Sequence, residues 1–243
     1  MLAGTDLVLH LHIKKHGLRK FLATGMRTCT CPESTARPLR SGALPRGRAG
    51  EGRLGRFDPR TGDQQMTDRI IAESVSESTI QAPLTAIDLT EWVFTLTDSE
   101  YQACSKNHIA GATTLTPEGK RTSINVEHVG NLMVQHYVED VAERNHCRLV
   151  SLSDSIGPEI GARVKLVVIW EFSAEAIDAG MTNFINKVEV RTAPGYLEAL
   201  EERGVPFAVA SEAAQKALSA HNAEETPLFA RDIERKARAS RWG

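Results

Sequence analysis

The sequence has little of several features that reveal a function directly. Aromatic residues make up 5% of the 243 residues, and only four cysteines are present. No stretch approaches the roughly 18 consecutive apolar residues of a membrane span. With 29 basic and 31 acidic residues the formal net charge is −2, whereas a dedicated nucleic-acid binder carries a strongly basic surface. We therefore expect neither a membrane nor a nucleic-acid partner.

Familiar catalytic and cofactor-binding motifs are also missing. No Gly-x-Gly-x-x-Gly or phosphate-binding loop indicates a nucleotide cofactor, and no Gly-x-Ser-x-Gly elbow indicates a hydrolase. No His-Glu-x-x-His or Cys-x-x-Cys pattern indicates a metal site. Few, isolated cysteines and no secretory signal favour reduced thiols. The sequence therefore predicts a cytoplasmic protein without a cofactor or metal, and its function has to be inferred from its architecture.

Residues 1–65 differ in composition from the rest of the chain. Twelve basic and five acidic residues give this segment a charge of +7, it holds nine of the 18 glycines, and residues 66–243 carry −9. Such a segment buries too little apolar surface to offset its chain entropy, so we expect a disordered basic arm. Three interpretations of this arm are open: a targeting segment, a basic tail that touches nucleic acid or acidic surfaces, or an upstream extension in front of a natural start at Met66. We favour the last. Residues 66–84 are interpreted as a linker.

Most of the remaining sequence alternates with period two, which predicts strands. The predicted strands cover residues 86–96, 108–116, 121–129, 132–143, 146–156, 162–174 and 182–192. A capping box at Thr97 and Glu100 predicts a short helix after the first strand. Near the end the period becomes helical, and Gly204, Pro206 and Pro227 predict that the helical region is broken into two or three pieces.

This order of elements resembles the helix-grip superfamily, which includes START domains, birch-pollen-allergen-like proteins and bacterial polyketide cyclases. The resemblance spans residues 85–240 and rests on element order: a strand, a small helix, six mostly hairpin-connected strands, and helices. It implies an α+β domain in which a curved seven-stranded antiparallel sheet grips the C-terminal helices. The family usually ends in one long helix, from which the broken helical region departs. The alternative is a scytalone-dehydratase-like cone fold, although residues 70–83 match its leading helices poorly.

Alternation of side chains across each strand assigns an inward face to the predicted sheet. On residues 121–129 and 132–143 the apolar stripe includes His128 and His136, and Asp154 shares the parity of an apolar stripe on residues 146–156. An imidazole on an apolar wall suits general acid or base chemistry near pH 7. His136 is therefore predicted to move a proton, and His128 or Asp154 to orient it.

Aromatic and amide side chains on the inward faces are the predicted ligand-binding residues. They are Trp92, Phe94, Trp170, Phe184 and Asn186. Apolar walls with a few polar groups are typical of a small-molecule pocket. We expect a small apolar ligand, aromatic or polyketide-like, which a cofactor-independent cyclase, dehydratase or lyase would convert. A non-catalytic carrier, and a solid-core interaction protein that forms a homodimer, are the alternatives. His221 and Asn222 fit capping near a helix end.

Overall fold

A computed structural model describes residues 68–157 and 163–242. The strands are β1 (Ile70–Ile80), β2 (His108–Leu115), β3 (Arg121–Val129), β4 (Asn131–Ala142), β5 (His146–Ile156), β6 (Arg163–Ala176) and β7 (Thr182–Thr192). The helices are α1 (Leu89–Phe94), α2 (Asp98–Ala103), α3 (Tyr196–Glu202) and α4 (Phe207–Arg238). All strand pairs are antiparallel, in the order β1-β7-β6-β5-β4-β3-β2. The predicted arm of residues 1–65 lies outside the described residues.

Six predicted strands are confirmed, but the first is wrong. Residues 86–96 contain α1, which begins where the side chain of Asp88 accepts a hydrogen bond from the backbone N–H of Glu91. The first strand is instead β1, within the segment interpreted as a linker. Along β1, glutamates and Val75 on one face alternate with half-buried serines on the other, so the strand has no strong apolar stripe. A strand therefore opens the described fold, which contradicts the cone-fold alternative.

The capping box is confirmed, because the Thr97 side chain accepts from the N–H of Glu100 and the Glu100 carboxylate accepts from the N–H of Thr97. The predicted break at Pro206 is also confirmed, since α4 begins directly after it.

The predicted break at Pro227 is wrong, because α4 continues through this residue as one helix of 32 residues. Proline removes the hydrogen bond to the carbonyl four residues earlier, which belongs to Ala223. Ala223 is exposed, so water can replace that bond. The structure thus has the single long C-terminal helix of the helix-grip pattern. Among the described helices, none is long and apolar enough to cross a bilayer.

Aromatic side chains hold the second half of α4 against the sheet. The Trp92 ring lies 5.4 Å from that of Phe172 and 5.1 Å from that of Phe229, both edge to face. The Trp92 indole N–H also donates to Asp232 of α4 at 2.9 Å. This solid packing contrasts with the first half of α4, which lies over a cavity.

Candidate functional site: a cavity and a buried His–Glu cluster

A cavity of about 170 Å³ lies between the inner face of the sheet and the first half of α4. Its two sides differ in polarity. On β3, β4 and β5 it is lined mainly by Asn125, Glu127, Met133, Gln135, Tyr137 and Ser155. On β6, β7, α3 and α4 the lining is chiefly apolar: Leu166, Val168, Trp170, Val188, Val190, Tyr196, Leu200, Ala214 and Leu218. The cavity therefore suits a molecule with one polar and one apolar side.

The structure reverses the inward face predicted for β3 and β4. His128 and His136 are exposed and lie on the outer face of the sheet. The outer face also carries half-buried β-branched residues that pair across the strands, such as Val126 opposite Val134. The polar side chains point inward because they have partners there; the Gln135 amide, for example, donates to the Tyr137 hydroxyl at 2.9 Å. His136 and His128 therefore do not line the cavity.

Asp154 is buried, but on the outer face of β5. It lies between Leu152 and Ile156, which are 54% and 43% exposed, while Ser155 faces the cavity. Its carboxylate forms ion pairs with Arg163 and with Lys165. These cations, Arg163 first, hold the pKa of Asp154 below its usual value despite burial. Asp154 is a paired surface-side carboxylate and cannot orient a group inside the cavity.

Three of the predicted ligand-binding aromatic residues belong to the packed core. Trp92 and Phe184 are fully buried in the aromatic cluster beside Phe172. Phe94 is 8% exposed, and its ring is covered by the guanidinium of Arg121 at 4.7 Å. None of the three lines the cavity.

The remaining two predicted residues are at the site. Trp170 lines the cavity, and its indole N–H donates to the Asn186 side-chain oxygen at 2.9 Å. Asn186 is fully buried, and its amide group donates to Glu225 Oε1 at 3.1 Å. Asn186 thus connects the cavity wall to a cluster of titratable residues that sequence reasoning did not identify.

That cluster consists of His108, Glu127, His221 and Glu225, all of them buried, and we call it the His–Glu cluster. The two histidine Nε2 atoms alternate with the two glutamate Oε2 atoms. His108 Nε2 lies 3.5 Å from Glu127 Oε2 and 3.2 Å from Glu225 Oε2, and His221 Nε2 lies 3.3 and 3.2 Å from the same two oxygens. All members except His108 line the cavity.

Three elements bring the cluster together. The first residue of β2 is His108, whose ring stacks on Tyr101 of α2 with centroids 3.9 Å apart. Glu127 faces inward from β3 and accepts a hydrogen bond from the Tyr101 hydroxyl at 2.9 Å. His221 and Glu225 lie one turn apart on α4, which places them on one face of the helix. The position of His221 in the interior of α4 contradicts its interpretation as a capping residue.

Charge stabilises the cluster. Burial lowers the pKa of His221, but the carboxylates of Glu127 and Glu225 outweigh burial and raise it above its usual value. Burial raises the pKa of Glu225, but its contacts with His108 and His221 outweigh burial and lower it. Burial, followed by the charge of Glu127, raises the pKa of Tyr101, so its hydroxyl keeps the proton that it donates. In this state the protonated His221 ring lies between the carboxylates of Glu127 and Glu225.

Two side chains on the cavity wall have polar atoms without a hydrogen-bond partner among the described residues. They are the Gln135 Oε1 atom and both ring nitrogens of His221. Gln135 is 3% exposed and His221 is 5% exposed. Buried polar atoms in folded proteins nearly always have a partner, so each such atom requires an explanation.

Comparison with known proteins gives a fold. No family model and no curated protein matches the chain. The ZhuI aromatase/cyclase from Streptomyces sp. R1128 is 15% identical, with a TM-score of 0.52, over 69% of this chain and 96% of that chain. A START superfamily protein from Mycobacterium smegmatis is 12% identical, with a TM-score of 0.42, over 67% of this chain and 97% of that chain. The chain has the helix-grip fold, which confirms the predicted resemblance.

Proposed function

We propose that this protein binds a small molecule with a mainly apolar body and at least one hydroxyl or carbonyl group, and carries out proton-transfer chemistry of the cyclase or dehydratase type on it. The observation that carries the proposal is the cavity, which has a polar wall on β3 and β4 opposite an apolar wall on β6, β7 and α4. A ligand with an aromatic or polyketide-like structure has groups that suit both walls.

The unpartnered oxygen of Gln135 supports this orientation. Gln135 Oε1 has almost no accessible area, so a rotation of the amide toward the cavity is required before a ligand hydroxyl can donate to it and provide the hydrogen bond missing from the polar wall. The ring of the same ligand then lies against Trp170 and Leu218 on the opposite side. A ring without a polar group leaves Gln135 Oε1 unpartnered, whereas a phenol gains one hydrogen bond, which contributes about 0.5–1.5 kcal/mol. We therefore expect phenols to bind more tightly than unsubstituted rings of the same size.

The volume of the cavity limits the ligand. A cavity of about 150 Å³ holds a benzene ring, so about 170 Å³ accommodates one substituted ring. A larger polyketide-like molecule requires outward movement of the wall formed by α3 and the first half of α4. Single-ring compounds are therefore the appropriate first probes.

A cyclisation or dehydration requires side chains that hold or accept a proton beside the ligand. Glu127, His221 and Glu225 are of this type and line the cavity, whereas the predicted catalytic residues lie outside it. The fold likeness to an aromatase/cyclase supports this reaction class. A carrier with the same cavity is the second candidate, favoured by the ion pairs that already engage the carboxylates.

Ligand binding is tested by thermal shift of the full chain against phenols and 1,3-diketones, since a ligand that binds only the folded state raises the melting temperature. Ala214→Phe places a ring in the cavity and should abolish the shift. Ala220→Phe is the matched control, because Ala220 is exposed on the same helix and this variant should retain the shift.

Failure of every compound to stabilise the wild type, or equal shifts in both variants, contradicts a ligand site in this cavity. Phenols have no water to eliminate and report binding only, so mass spectrometry of a bound 1,3-diketone after incubation separates the enzyme from the carrier. A mass loss of one water indicates dehydration, and an unchanged compound with an unchanged fragmentation pattern indicates a carrier.

A further inference from the structure

The His–Glu cluster has the donor atoms of a transition-metal site. Two imidazole nitrogens and two carboxylate oxygens are ligands that Zn²⁺ and related divalent ions accept. We propose that His108, Glu127, His221 and Glu225 bind one divalent transition-metal ion, with Zn²⁺ as the representative ion. This metal site is separate from the proposed binding of a small molecule, because the ion can bind whether or not the cavity holds a ligand.

The spacing of the donor atoms fits such an ion. Zn²⁺ with bonds of about 2.0–2.2 Å in tetrahedral geometry holds neighbouring ligand atoms about 3.3–3.5 Å apart. The four histidine-to-glutamate distances in the cluster are 3.2, 3.2, 3.3 and 3.5 Å. One donor atom from each residue lies within 4.8 Å of all the others. Small side-chain movements therefore suffice to place all four around one ion.

Residues around the cluster orient the donors. His108 Nδ1 lies 2.7 Å from the carbonyl oxygen of Tyr101, to which it can only donate, so Nε2 is left to face the cluster. The Asn186 amide binds Glu225 Oε1 and leaves Oε2 facing the histidines. Hydrogen bonds of this kind typically fix the orientation of metal ligands.

His221 provides an independent observation. Its Nε2 atom lies within 3.3 Å of two carboxylate oxygens, yet neither ring nitrogen makes an aligned hydrogen bond. Both ring nitrogens have almost no accessible area, so a water molecule in the cavity does not reach them. A metal ion between Nε2 and these oxygens gives the nitrogen a partner.

Charge balance is compatible with a divalent ion. Glu127 and Glu225 already pair with His221, so Zn²⁺ has to displace the proton that His221 holds between them, because a histidine ligand must be neutral. Zn²⁺ with two neutral imidazoles neutralises both carboxylates. Three of the four residues line the cavity, so the ion would lie beside it.

Metal binding is tested with the full chain carrying Cys29→Ser and Cys31→Ser in every sample, so that thiolates outside the described residues cannot bind the ion. After chelator treatment, Zn²⁺ binding is measured by calorimetry and Co²⁺ binding by visible absorption. We expect one ion per chain and a higher melting temperature with Zn²⁺. His221→Gln and Glu225→Gln should each weaken Zn²⁺ binding by about 100-fold or more, and Asn186→Ala by about tenfold.

His136→Gln is the matched control, because His136 is exposed on the outer face and its replacement should leave the affinity unchanged. Circular dichroism of each variant establishes that it is folded. The proposal is overturned if the folded protein with an intact His–Glu cluster takes up no stoichiometric Zn²⁺, or if both cluster variants bind Zn²⁺ as tightly as that protein. Neither result bears on phenol binding, so the two proposals fail separately.

Discussion

Replacing Phe229 with alanine should detach the second half of α4 from the sheet more effectively than any surface change on that helix. Phe229 is fully buried, and its ring lies 5.1 Å from Trp92 and 5.8 Å from Trp170. Truncating a buried phenylalanine to alanine costs about 3–5 kcal/mol through lost transfer free energy and the cavity that remains. We expect Phe229→Ala to lower the free energy of unfolding by about 4 kcal/mol. For a domain of this size this corresponds to a melting temperature about 8–16 °C lower.

The assay is urea unfolding of the full chain followed by tryptophan fluorescence and far-ultraviolet circular dichroism. Val209→Ala is the control, because Val209 is 56% exposed on the same helix and its truncation should change the free energy of unfolding by less than about 1 kcal/mol. If Phe229→Ala costs no more than this control, the aromatic cluster does not hold α4 on the sheet.

Two further substitutions test the electrostatics. The N-terminal backbone of α2 and Lys236 outweigh burial and lower the pKa of Glu100 to about 2. The ionised carboxylate of Glu100 therefore stabilises the folded state above about pH 4.5, and this stabilisation is lost as the pH falls toward 2. Glu100→Gln should lower the free energy of unfolding in urea by about 1 kcal/mol at pH 7 and by almost nothing at pH 2. An equal loss at both pH values contradicts the pairing of Glu100 with Lys236. Asn186→Leu leaves Trp170 Nε1 and Glu225 Oε1 without partners, and should lower the free energy of unfolding by about 2–4 kcal/mol; an unchanged denaturation midpoint contradicts this.

Local patterns predicted most of the sheet. Six strands, the capping box of α2 and the start of α4 after Pro206 follow from alternation and from local backbone chemistry. The first strand was missed because β1 has polar residues on both faces, and it is held by pairing with β7, more than 100 residues away. The helix break predicted at Pro227 is wrong because the carbonyl that loses its hydrogen bond, that of Ala223, is exposed to water.

The interior of the site was harder to predict because its polarity is reversed. The rule that apolar residues face inward fails on β3 and β4, where Gln135 and Glu127 line a cavity. Their hydrogen-bond partners include Tyr101 of α2, which no pattern within one strand reveals. The only local signal of the His–Glu cluster was the spacing of His221 and Glu225 by one helical turn. His108 and Glu127 join them only through the fold.

A crystal structure of the full chain grown with phenol decides whether the sheet and α4 enclose a ligand site. We predict that the ring lies between Trp170 and Leu218, with its hydroxyl within hydrogen-bonding distance of Gln135 or the His–Glu cluster. A cavity closed by its own side chains, or phenol bound only on the outer face beside His136, contradicts this prediction.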